Sequence, residues 1–221
     1  MKKLLIVGLV GIFVLGASGL ANAALVSFVD PFSGADTTSG WSNSDATTTL
    51  SYSSFTILEG LGTVTAYLGD SLRNLTHRAT RGLGVTGGED DEVDYRPGRA
   101  QERIEITFAN PRFIDYVEIR SLYFPERGDQ EVANLHYWLG ATNVGNATLV
   151  GVMPLGSGNG LVSTSPNLHL DKIVFQVDEA TNLSDFAVAK LNVNSTPEPA
   201  TLSLLGLGMG ILGLFRLRKK K

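Results

Sequence analysis

The middle of this 221-residue sequence predicts an all-β domain, an antiparallel β-sandwich of the jelly-roll or lectin-like kind, with an apolar helix at each end of the chain. Three observations carry that expectation. Apolar and polar residues alternate at period two in one segment after another. Gly, Pro and Asn punctuate those segments at short intervals. No window between Ala24 and Pro199 sustains apolar residues at helical spacing for three capped turns, and the best short helix is Asp70 to Thr80.

The N-terminus has to be set aside before any fold is considered. Met1-Lys2-Lys3 is basic, Leu4 to Val14 is apolar, and Ala21-Asn22-Ala23 is a small-x-small site. That order predicts a cleavable signal helix over residues 1–23, cut by signal peptidase between Ala23 and Ala24. The apolar core is too short for a comfortable permanent span. The domain then occupies 24–195.

Within it, strands are expected at Leu25 to Val29, Ser54 to Leu58, Thr63 to Leu68 and Ile104 to Phe108. Others follow at Phe113 to Phe124, Ala133 to Leu139, Thr148 to Val152, Ile173 to Val177 and Phe186 to Val193. Asn110-Pro111, Pro125 to Gly128, Gly156 to Gly160 and Ser165-Pro166-Asn167 read as the turns between them. Ser33 to Thr49 reads as a loop-rich entry.

Charge narrows the function. Seven of the 18 basic residues lie at the two extreme ends, and all 22 acidic residues lie between them. The remainder carries eleven basic against 22 acidic residues, a net charge near −11. Such a surface repels phosphate backbones, which argues against nucleic acid as a partner. Cysteine is absent, which excludes thiol catalysis and Cys-ligated zinc. His77, His136 and His169 are scattered, and no G-x-S-x-G, HExxH, P-loop or dinucleotide fingerprint occurs.

Two features hold binding chemistry. Glu89, Asp90, Asp91, Glu92 and Asp94 put five carboxylates in six positions, where they repel unless solvated or bound to a cation. Calcium suits such oxygen-rich loops, and Glu92 and Asp94, with Glu102 more remote, are the expected ligands. The other reading is a solvated acidic loop offset by Arg96, Arg99 and Arg103. Aromatic rings stack on the C–H faces of sugars, and Trp41, among Ser, Asn and Asp, is the expected stacking residue. Trp138 falls on the polar-facing side of its strand, where core or inter-strand packing is the preferred reading over sugar stacking.

The C-terminal segment 196–221 has its own order. Pro197-Glu198-Pro199 excludes helix, Leu202 to Leu214 is apolar and Gly-rich, and Arg216 to Lys221 is basic. Thr201 to Phe215 makes roughly 22 Å of helix at about 1.5 Å per residue. A hydrocarbon core is about 30 Å thick, so this transmembrane helix suits temporary residence, with its basic end cytoplasmic.

This tail resembles the PEP-CTERM sorting domain of Gram-negative bacteria. The resemblance implies handling by exosortase, an integral membrane enzyme that cuts near Pro197-Glu198-Pro199. Gly82 to Val85, Glu92-Val93-Asp94, Glu102 to Phe108 and Ser184 to Leu191 are similar to segments of extracellular domains in PEP-CTERM proteins. That likeness implies a carbohydrate-binding or lectin-like sandwich. The expected function is therefore a non-enzymatic, exported cell-surface or extracellular-matrix protein, with carbohydrate, extracellular polysaccharide included, and calcium as ligands. A secreted polysaccharide-active hydrolase and a purely structural matrix component are the alternatives.

Overall fold

The computed structural model describes residues 23–29, 48–49, 54–57, 61–78, 80–86, 92–95, 98–124, 130–154, 160–177 and 184–194. The signal helix, the sorting tail with Pro197, Glu198 and Pro199, the Glu89 to Asp91 part of the acidic run, and Trp41 lie outside them. Ala23 to Asn194 form one compact unit.

Among the described residues every regular element is a strand. In chain order they are β1 (Ala23–Ser27), β2 (Thr48–Thr49), β3 (Ser54–Ile57), β4 (Gly62–Leu68), β5 (Ser71–Arg73), β6 (Leu75–Arg78), β7 (Gly82–Val85) and β8 (Val93–Asp94). There follow β9 (Glu102–Arg120), β10 (Tyr123–Phe124), β11 (Val132–Leu139), β12 (Thr142–Val150), β13 (Met153–Pro154), β14 (Val162–Thr164), β15 (Leu168–Val177) and β16 (Asp185–Asn194). All pairings are antiparallel except the short β10–β13 pair.

The 19-residue β9 organises the sandwich. Its first half lies between β4 and β15, and its second half pairs with β16 on one side. The buried phase changes along it. Ile104, Ile106 and Phe108 face the core at even positions, whereas Val117 and Ile119 do so at odd ones. The exposed stretch Ala109–Pro111 is the bend between the two halves. The turn expected at Asn110-Pro111 is therefore a bend inside one strand. Proline is tolerated there because the ladder is interrupted between the Phe108–Gly62 and Arg112–Leu170 partners.

A front sheet runs β4, β9, β15, β11, β12, with β3 and β5 on the far side of β4. A back sheet runs β9, β16, β7, β6, β2, with β1 and β8 also on β16. Val64, Ile104, Ile106, Leu135, Ile173 and Phe175 from the front pack with Leu75, Leu83, Val117, Ile119, Leu191 and Val193 from the back in one core. This is a β-sandwich. Ser165-Pro166-Asn167 interrupts what is otherwise a continuous partner of β9, with Asn167 at φ 52°.

Asp70 to Thr80, the best short-helix candidate in a domain expected to be all-β, holds β5 and β6. Leu75, Thr76 and His77 are all buried, so no alternation marks β6. Gly82 explains the close approach of β7 to β16. Its φ is +123°, and a Cβ there would stand 2.2 Å from the Val188 carbonyl oxygen.

Candidate functional site

The outward-pointing residues of β11, β12 and β15 form a polar face whose planar side chains lie side by side. Period-two alternation turns Leu135 and Tyr137 inward, which leaves Asn134, His136 and Trp138 half-exposed on the other side. Register then sets their neighbours. His136 lies across from Asn146 and Val174, and Trp138 across from Asn143 and Lys172.

Hydrogen bonds tie this face together. Gln176 Nε2 donates to His136 Nε2 at 2.9 Å, so the ring proton belongs on Nδ1, which lies 2.7 Å from Asn146 Oδ1. Asn143 Nδ2 donates to the same Asn146 oxygen at 2.9 Å, and Thr148 Oγ1 to Asn134 Oδ1 at 2.9 Å. The Lys172 ammonium lies 5.2 Å from the centroid of the Trp138 ring. The indole Nε1 is buried without a hydrogen-bond partner. Towards β4, Arg103 stacks 4.3 Å over the Tyr67 ring and donates to Glu105 at 2.9 Å. The sequence placed Trp138 on the polar side of its strand, as observed. His136, Asn146 and Gln176 carried no signal of their own, because their grouping comes from strand register.

A second cluster sits where β8 meets the start of β16. Asp94 and Asp185 are register partners. Glu92 is 2% exposed, and its Oε1 accepts from Arg81 Nη1 at 2.6 Å. Glu131 accepts the Tyr123 amide. Burial pushes Asp185 far above the ordinary carboxylate range, and the charges of Glu92, Glu131 and Asp94 push it the same way. Glu131 is raised to about 7, first by burial and also by Glu92, with the Tyr123 amide opposing. Glu102 is likewise raised to about 7 by burial, against the Asp94 amide that donates to its Oε2 at 3.0 Å.

Glu92 and Asp94 of the acidic run and the more remote Glu102 thus fall in one region. The structure joins Asp94 to Glu102 directly and gives Glu92 to Arg81. Among the described residues, no group of three or more His, Asp or Glu side chains is disposed to hold a metal ion. Asp185 and Glu131 escaped the sequence reading because only long-range strand pairing brings them to Glu92. His77 is 1% exposed, with Nε2 2.9 Å from the Phe28 carbonyl oxygen.

The described domain is thus an antiparallel β-sandwich with a polar, aromatic-bearing outer face. Residues 195–220 match the family described as the PEP-CTERM protein-sorting motif, so the chain carries a sorting tail of that kind, which implies export and handling by exosortase. No curated protein matches it. A solved structure, recombinant discoidin II of Dictyostelium discoideum, is similar at 11% identity and a TM-score of 0.31. That alignment covers 50% of this chain and 46% of the discoidin chain. The chain therefore spans less than half the length of that protein.

Proposed function

We propose that this protein is an exported cell-surface or extracellular-matrix component whose sandwich binds polysaccharide through the outer face of the front sheet. The observation that carries the reading is the Trp138 indole beside the His136, Asn146 and Gln176 row. Planar amide and imidazole groups match sugar hydroxyls as paired donors and acceptors, and an indole offers a stacking surface. The face is assembled from rigid strands, so little ordering cost accompanies binding. Retention of the purified domain on immobilised polysaccharides tests the reading. Saturable retention supports it, and a flow-through profile matching an inert protein on every glycan rejects it.

Calcium is the second ligand of this reading; the described residues hold no preformed three-ligand site, and what supports it is the burial of Asp185 and Glu131 together with the charge of Glu92 beside them. A divalent cation offsets the burial and the repulsion that otherwise hold protons on Asp185 and Glu131, so its effect is confined to pH values where the protons are leaving. The expected result is a melting temperature a few degrees higher in calcium than in chelator at pH 8, with no difference at pH 5. Identical curves at both pH values reject a bound stabilising ion.

A further inference from the structure

We propose that β1 is a latch whose docking onto β16 closes the Ala23–Ala24 peptide bond to signal peptidase, so that cutting has to precede docking, an inference that rests on the export reading above. The register places that bond inside the sheet. Ala23 lies across from Asn194, Ala24 from Val193, Leu25 from Asn192, Val26 from Leu191 and Ser27 from Lys190. A peptidase reads its substrate as an extended, unpaired strand, and backbone already bonded to β16 is closed to it.

The residues after the bond anchor the latch. Val26, Phe28 and Val29 are fully buried. The Phe28 amide donates to the Ala189 carbonyl at 2.8 Å, and the Phe28 carbonyl lies 2.9 Å from His77 Nε2. The first strand of the domain therefore waits for the last one. β16 ends the described chain, so its partner edge exists only after everything up to Asn194 has crossed the membrane. Signal cleavage has that whole interval in which to act on an open strand.

The same arrangement protects the domain at its other end. β16 is held between β9 and β1, and Asn194 Nδ2 donates to Asp115 Oδ2 at 2.8 Å. The Pro197-Glu198-Pro199 motif begins beyond that anchor, so cutting the tail releases a sheet with all its strands in place.

The full-length precursor, folded in detergent and incubated with purified signal peptidase, tests the order. The probes are the native precursor, a Val26→Asp variant whose buried charge keeps β1 undocked, and a Leu25→Cys/Asn192→Cys pair. Leu25 is half-exposed, and the chain has no other cysteine to compete. Direct cross-strand partners lie within the Cα separation a disulfide spans. Cutting tracks the open population, so the native precursor should be cut about tenfold or more slowly than Val26→Asp. The oxidised pair should resist cutting until reduced. Equal rates for native, oxidised and Val26→Asp precursors would overturn the latch. Resistance of Val26→Asp itself would overturn Ala23–Ala24 as the cut site and the latch with it, while leaving the glycan-binding face to its own test.

Discussion

Asp185→Asn is expected to stabilise the domain at pH 8 and to flatten the dependence of its melting temperature on pH. Buried beside Glu92 and Glu131, the native Asp185 side chain keeps a proton that the unfolded chain gives up near pH 4. A group whose folded pKa is raised contributes its stability below the unfolded value and loses it as pH rises through the folded one. Glu131 and Glu102, both raised to about 7, act in the same sense between about pH 4.5 and 7. His77 acts oppositely. Burial lowers its pKa, so its contribution is lost as pH falls below the ordinary value of 6.5.

Stability should therefore peak in mildly acidic solution and fall towards pH 9. The asparagine amide replaces the protonated carboxyl as a hydrogen-bond donor to Glu92 without carrying a charge at any pH. A gain of roughly 1–3 kcal/mol at pH 8 is expected, with the ion-pair partner Arg81 left in place. Urea titrations at pH 5 and pH 8 read it out. A variant less stable than wild type at pH 8, or one with the same pH slope, removes the explanation.

Trp138→Ala is expected to weaken polysaccharide retention about tenfold or more while leaving the sandwich folded, in keeping with aromatic anchors at other interfaces. The ring is half-exposed on the outer face, so its loss opens no core cavity. The His136–Gln176 and His136–Asn146 bonds do not pass through it. His136→Phe keeps the planar ring but leaves Gln176 and Asn146 without their shared partner, and should cost less than the tryptophan. Binding isotherms with thermal melts as the folding control separate the two effects. Undiminished retention by Trp138→Ala would move the ligand off this face.

Much of the fold was legible in the sequence, because alternation reports a sheet with one wet side. Ile104, Ile106 and Phe108, Leu135 and Tyr137, and Ile173 and Phe175 all face the core from the strands their spacing indicated. The misreadings have a common cause. β6 and β7 lie deep enough that consecutive residues are buried, which erases period two, so neither is among the strands the spacing indicated. Pro111 marks a bend where the ladder is interrupted, and a lone proline does not distinguish that from a turn.

The site was legible only where its members are close in sequence. Glu92 and Asp94 belong to one charge run, whereas Asp185 and Glu131 reach them through the β8–β16 register and the approach to β11. The outer face repeats the lesson. The phase of Trp138 follows from its own strand, but its polar neighbours depend on which strands flank it and in what register. Trp41 falls outside the described residues.

The central claim is that a folded sandwich is delivered outside the cell and trimmed at both ends. Intact-mass spectrometry of the protein recovered from the cell surface and medium tests it most directly. The expected mass corresponds to a chain beginning at Ala24 and lacking the apolar and basic residues beyond Pro197-Glu198-Pro199. Recovery of that material as one species running from Met1 to Lys221 would contradict it.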